Sequence, residues 1–189
     1  MMGVAELLRT GSPEEVADFK DTVALLANSL VDEIRAQQTL LAAERGELKL
    51  EPARINSLTL LCEVRNTYLN HDVGMGRYIE VDAHAQVVWF VSDPALVRRV
   101  LGNMVKNALE ACQPGQTVTL SAHACSHGVE FAVHNPGAMS RNVQLQVFQR
   151  SFSSKGDGRG LGAYSMKLLS ERYLNGAVDF ESDTAGGTT

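Results

Sequence analysis

"DPALVRRVLGNMVKNALEAC", residues 93–112, decides how the rest of the chain is read. Asp93-Pro94 restarts a helix after a strand-like run, because proline suits a first helical turn and little else in a helix. Leu96, Val97, Val100, Leu101, Met104, Val105 and Ala108 then recur with helical spacing and form a broad apolar face. Two residues do not suit an ordinary core helix. Asn103 and Asn107 stand four apart, share a face, and are surrounded in sequence by Leu, Val and Met. An amide in such company costs free energy unless something hydrogen-bonds it. Two readings stay open: the amides cap a neighbouring loop, or they serve a ligand. An asparagine carbonyl is a neutral hard oxygen of the kind magnesium accepts while it bridges to phosphate, so the second reading already names a chemistry.

Downstream, "TVTLSAHA" and "VEFAVHN" read as strands joined by polar residues 126–128. A short polar helix is expected near 140–147, a helix over "LGAYSMKLLSERYL" (161–174), and a strand over "AVDFESD" (177–183). Upstream, "ELKLEP" (47–52), "RYIEVD" (77–82) and "QVVWFVSD" (86–93) read as strands, and "ARINSLTLLCEVRNTYLN" (53–70) as an amphipathic helix. Before Gly46 the pattern is helical throughout. Ser12, Pro13 and Glu15 form a capping box, and Val16, Phe19, Val23, Leu26, Leu30 and Ile34 recur at three- and four-residue steps. No breaker interrupts about nine turns. "GVAELLRT", stopped by Gly11, supplies only part of a partner for that stripe. The helix therefore packs either on its own domain or against a second copy of the chain.

The expected fold class is α+β: a helical hairpin over residues 1–46, then an α/β sandwich over 47–189 with helices on one face of a mixed sheet. The 189 residues are 44% hydrophobic and 21% charged, enough for one sizeable core. A net charge of −5 without a basic stripe argues against nucleic acid as a partner, though a small anion can still bind locally. Cys62, Cys112 and Cys125 lack the spacing of a disulfide framework or a zinc site, which fits a reducing cytoplasm. No apolar run reaches the length of a membrane span, so no membrane contact is expected of this chain.

"SFSSKGDGRGLGAYSMK", residues 151–167, packs Gly156, Gly158, Gly160 and Gly162 into seven positions directly before a helix. Backbone N–H groups hold phosphate only where the main chain comes close, and glycines clear that approach. A helix beginning at Leu161-Gly162 adds its unsatisfied N–H groups and positive dipole end, and Lys155 adds a point charge. Taken alone, such a stretch is a plain flexible loop more often than a phosphate site.

In order, "NMVKNALEA", "VHNPG", "VFQRSFSSK", "GDGRGLG" and "GGTT" resemble the nucleotide-binding boxes of sensor histidine kinases, members of the superfamily that includes gyrase, Hsp90 and MutL. The resemblance covers residues 48–189 and implies a Bergerat-type ATP-binding fold with ATP and Mg²⁺ as cofactors. It makes Asn107 the metal ligand and places Asn103 one turn earlier, near the phosphates, where with Lys155 it serves the transfer. Asn135, Gly137 and Thr188 fall at the adenine, and Gly158, Arg159, Gly160, Leu161 and Gly162 at the phosphates. Arg159 reads equally as a solvent residue, and Asn135-Pro136-Gly137 by its chemistry alone as a turn. Residues 138–160 match the lid, with Phe148 and Phe152 as its anchor or simply as core.

Two positions depart from the pattern. Asn135 stands where an aspartate is usual, and its carbonyl still accepts a hydrogen bond. Glu110 replaces a usual basic residue, which puts a phosphate contact there in doubt. The implied function is transfer of the ATP γ-phosphoryl to a histidine, then to the receiver domain of a response regulator, by a homodimer joined through its N-terminal helices. None of His71, His84, His123, His127 or His134 lies in the helical segment, so the acceptor is expected upstream of this chain and a last strand beyond it. A nucleotide-binding dimeric scaffold and an ATP-gated clamp are the alternatives. The clamp needs a water-activating glutamate where Asn103 stands.

Overall fold

The structure, a computed structural model, describes residues 12–69, 71–150 and 161–189. The chain divides into two compact units, Met1–Leu48 and Lys49–Thr189. In the first, helix α1 runs Pro13–Arg45, 33 residues, and opens with the Val16 N–H donating to the Ser12 carbonyl at 3.0 Å. It ends in a Schellman motif. Gly46 takes φ +76°, its N–H donates to Ala43 O at 3.2 Å, and the Glu47 N–H donates to Ala42 O at 2.9 Å. Along α1 the predicted stripe lies open: Val23, Leu26, Leu30 and Ile34 are all exposed, Leu30 by 65%. The first arm of the expected hairpin falls on residues 1–11, and the Glu15 side chain of the capping box is likewise outside the described residues.

The second unit is built around one hydrophobic cluster. Its elements are β1 (Ala53–Asn56), α2 (Ser57–Leu69), a 3₁₀ turn (Asp72–Gly74), β2 (Tyr78–Val81), β3 (Trp89–Ser92) and α3 (Pro94–Ala111). There follow β4 (Thr117–Cys125), β5 (Gly128–His134), α4 (Arg141–Gln144), α5 (Leu161–Arg172), β6 (Ser182–Asp183) and β7 (Gly187–Thr188). β2 pairs parallel with β4, and β4 antiparallel with β5, giving a mixed three-stranded sheet in the order β2-β4-β5. Along β4, Val118, Leu120 and Ala122 point into the core at every second position. Against them pack Leu60, Leu61 and Val64 of α2 and Val97, Leu101, Val105 and Leu109 of α3. The two helices approach closely at Gly102, where an added Cβ would stand 3.2 Å from the Tyr68 hydroxyl.

Three strand expectations need correction. Residues 47–52 form no strand; the pairing falls on β1, where buried Ile55 faces Phe90 of β3, while Leu50 stays exposed. This two-stranded ladder is separate from the central sheet, and the β6-β7 hairpin meets it through a single bridge from Thr188 to Asn135, just past β5, so the pairing is not one continuous sheet. The strand expected at 86–93 shortens because other partners take its first residues. Gln86 N–H donates to Ala122 O at 2.7 Å and Val88 N–H to the buried Ser57 hydroxyl at 2.9 Å. Of residues 177–183 the pairing takes in the last three: Ser182 and Asp183 form β6, and Glu181 exchanges two backbone bonds with Thr189 at 2.9 Å, while Phe180 N–H donates to the Asp179 carboxylate.

α3 is pinned at both ends. Asp93 Oδ1 accepts the Ala95 and Leu96 N–H groups at 2.9 and 3.0 Å, an N-cap with Pro94 next in line, and its Oδ2 accepts Glu51 N–H at 2.9 Å. At the other end, the Arg77 guanidinium donates to Cys112 O at 3.0 Å and to the carbonyls of Val73 and Met75.

Candidate functional site

Asn103, Asn107 and Ala111 follow one another at four-residue steps along α3, a line about 12 Å long at 1.5 Å per residue. The two asparagines are not embedded in the core as their sequence neighbours suggest. Asn107 is exposed and Asn103 half-buried, because the buried stripe passes through Val97, Leu101, Val105 and Ala108. Their amides therefore avoid most of the desolvation cost and keep their hydrogen-bonding capacity for something outside the helix. At the Asn103 end, α5 begins: a Cβ added to Gly162 would stand 3.8 Å from Asn103 Oδ1. Leu161 is its first residue, so the orphan N–H groups of that first turn lie at the same end of the line.

At the opposite end, Gly137 meets Ala111. A Cβ here would stand 3.0 Å from Ala111 O and 3.1 Å from Asn135 Nδ2, a contact that fits only if these neighbours give by a few tenths of an ångström. Asn135 is 3% exposed and closes a bridge with β7: its N–H donates to Thr188 O at 2.9 Å and the Thr188 N–H donates to its carbonyl at 2.8 Å. Gly187, at φ +78°, allows that approach, since a Cβ there would collide with Asn135 O.

The Asn135 side chain has one orientation. Its Nδ2 donates to Gly137 O at 3.0 Å; turning the amide over would set two acceptors against each other. Oδ1 is thus the atom left to accept, and no described residue donates to it. Gly137 O also accepts the Thr188 hydroxyl at 2.7 Å. Behind this pair stand two residues that motif reading passes over. Ser182 Oγ lies 2.7 Å from Thr188 Oγ1 and accepts Met139 N–H at 2.8 Å, while Gln144 Nε2 donates to Met139 O and Ser182 O at 2.9 and 3.1 Å. The bonds from Met139 N–H to Ser182 and from Gln144 to Ser182 O join residues 43 and 38 apart in the chain, so no local spacing announces them.

Phe148 packs on Phe180 with ring centroids 5.8 Å apart, under Lys167 Nζ at 5.3 Å from its ring. Phe152, Lys155, Gly158, Arg159 and Gly160 lie outside the described residues. The structure therefore brings together Asn103, Asn107, Leu161 and Gly162 along α3 and at its meeting with α5, and Asn135, Gly137 and Thr188 at its far end. Among the described residues, no group of three acidic, histidine or cysteine side chains is arranged to hold a metal. The donor set along α3 is amide oxygen, which fits an ion that takes its remaining ligands from phosphate and water.

A family model of histidine kinase-, DNA gyrase B- and HSP90-like ATPases matches residues 92–189. The chain belongs to that family. Sensor protein DivL of Caulobacter vibrioides is 28% identical over 192 residues, covering 100% of this chain and 25% of DivL. Sensor protein CreC of Escherichia coli is 28% identical over 195 residues, covering 98% of this chain and 40% of CreC. The chain thus spans well under half the length of these relatives. Among solved structures, the catalytic domain of histidine kinase ThkA has the same fold, with a TM-score of 0.65 at 21% identity over 74% of this chain and 91% of that one.

Proposed function

We propose that this chain is the cytoplasmic, ATP-binding catalytic portion of a sensor histidine kinase, transferring the γ-phosphoryl of ATP to a histidine that this chain does not supply, for relay to a receiver-domain aspartate. The observation that carries the reading is the line on α3. It begins where α5 starts, passes Asn103 and Asn107, and ends at Gly137 beside an Asn135 whose Oδ1 accepts from none of the described residues. That oxygen suits the adenine amino group, a donor, and Thr188 holds the same turn in place.

At the other end, the first N–H groups of α5 and the glycine-rich segment receive the phosphates, with Lys155 and Arg159 adding charge. Asn107 would hold magnesium, with Asn103 as its neighbour toward the phosphates; the ion, when bound, neutralises phosphate charge. The chain's own residues bind, orient and screen, and no protein nucleophile is required of this unit. The Asn103 amide cannot accept a proton from water at neutral pH, so a hydrolytic clamp lacks its general base at that position. The open stripe of α1 supports the homodimer, a second copy burying Val23, Leu26, Leu30 and Ile34 in a four-helix bundle. None of the five histidines lies on α1.

Calorimetric titration with a nonhydrolysable ATP analogue, with and without magnesium, tests the site. Binding in both conditions, tighter with the metal, is expected; no heat in either refutes the reading. With γ-labelled ATP the chain alone should acquire no acid-labile label, and should label a separate helix pair that carries an acceptor histidine.

A further inference from the structure

The bonds around Ser182 form a chain whose direction is fixed atom by atom. Thr188 has one hydroxyl proton and gives it to Gly137 O at 2.7 Å. With that proton spent, the 2.7 Å bond between the two hydroxyls runs from Ser182 to Thr188, and Ser182 Oγ in turn accepts the Met139 N–H. Gly137 O accepts on its other side from Asn135 Nδ2. Protons therefore all point one way, from Met139 through Ser182 and Thr188 to Gly137, and the last acceptor dictates which end of the Asn135 amide faces outward. Gln144 fixes the origin of this chain by holding the carbonyls of Met139 and Ser182 together.

We propose that Ser182 is a positioning residue that sets the base preference of the nucleotide site, an inference that rests on the nucleotide reading above. A base with an exocyclic amino group meets Asn135 Oδ1 as it stands. A 6-oxo purine presents an acceptor instead, and binding it well requires the Asn135 amide to turn over. The turned amide would put Oδ1 against Gly137 O unless a hydroxyl proton came between them. While Ser182 donates into Thr188, the Thr188 hydroxyl is committed and cannot swing to relieve that clash. Without Ser182 the Thr188 hydroxyl keeps Gly137 O as its acceptor but loses the donor that fixes its angle, so its one proton can lean toward the turned Oδ1 and the turned amide is tolerated.

The test compares ADP with IDP by titration calorimetry in EDTA, which removes magnesium and leaves the base as the only difference. Wild type should prefer ADP. Ser182→Ala should narrow that preference about fivefold, the worth of one neutral hydrogen bond, and Ser182→Thr, which keeps the hydroxyl, should preserve it. Ser182→Cys retains the size with a weaker donor and decides the matter if the alanine variant does not fold. A loss of affinity shared equally by ADP and IDP in a folded alanine or cysteine variant marks a merely structural role and overturns the inference alone. Narrowing by Ser182→Thr as large as by Ser182→Ala also overturns it. Failure of the wild type to bind either nucleotide overturns the nucleotide reading and this inference with it.

Discussion

Replacing Gly187 with alanine perturbs the hinge on which Thr188 meets Asn135, and the structure separates the two parts of its effect. Gly187 sits at φ +78° and an added Cβ would collide with Asn135 O while lying 3.0 Å from Pro136 Cα. Gly115 shares the backbone condition at φ +82° but has nothing within 4 Å of its Cβ position. Gly115→Ala therefore reports the left-handed strain alone, about 1–2 kcal/mol, less the ~0.5 kcal/mol gained by restricting the unfolded chain. Gly187→Ala carries the same balance plus a backbone collision worth about 1–3 kcal/mol. The extra loss has a ceiling, because β7 can detach instead. That would forfeit the two Asn135–Thr188 backbone bonds and the Thr188 hydroxyl bond, at about 1 kcal/mol each. Urea denaturation should thus find Gly187→Ala less stable than Gly115→Ala by about 1–3 kcal/mol. Amide exchange at Asn135 and Thr188 should speed up in Gly187→Ala only. Equal stabilities with unchanged exchange at those two amides would refute the reasoning.

Asn107→Ala should weaken magnesium-dependent ATP binding by more than about tenfold, as loss of a metal partner does, and leave magnesium-free ADP binding nearly unchanged; equal loss of both removes the metal assignment. Asp183 holds its carboxyl below the ordinary value because the Gly186 and Ala185 N–H groups donate to it at 2.6 and 2.7 Å. Its support for the β6-β7 turn is complete above the ordinary carboxylate range and lost as pH falls through the lowered value. The stability gap between wild type and Asp183→Ala should accordingly shrink on acidification, and a gap constant with pH would contradict this. Leu30→Glu, at a position 65% exposed, should change the stability of an isolated chain by no more than about 0.5 kcal/mol. It should nevertheless convert a dimer to a monomer by light scattering, and a wild type already monomeric would remove the bundle.

What the sequence discloses is what neighbours along the chain decide. The extent of α3 follows from Asp93-Pro94 and an apolar period, and the stop of α1 from Gly46, whose left-handed turn needs no distant partner. Asn135, Gly137 and Thr188 were legible through their motifs, although not the bonds among them. Pairing across the fold was harder to read. Leu48 and Leu50 alternate like a strand, yet Ile55 wins the place opposite Phe90, a contact that depends on residues 35 positions away. Ser182 and Gln144 carry no motif, because polar side chains become informative only when the turn they support is in place. Asn107 looked embedded because its neighbours in sequence are apolar, whereas the neighbours that matter on a helix are those three and four residues away.

Asp93 at one end of α3 and Arg77 at the other make this helix a gauge block rather than a spring. Its start is set by a carboxylate that also holds Glu51, and its finish by a guanidinium that collects three carbonyls. The interval from Asn103 to Ala111 is then a constant of the molecule. Whatever differs in length between one occupant and the next must be absorbed by the walls facing α3: the first turn of α5 on one side and the segment beginning at Gly137 on the other. A substitution at Asp93 or Arg77 would touch no ligand, yet it would shift the zero of the scale along which every ligand is measured.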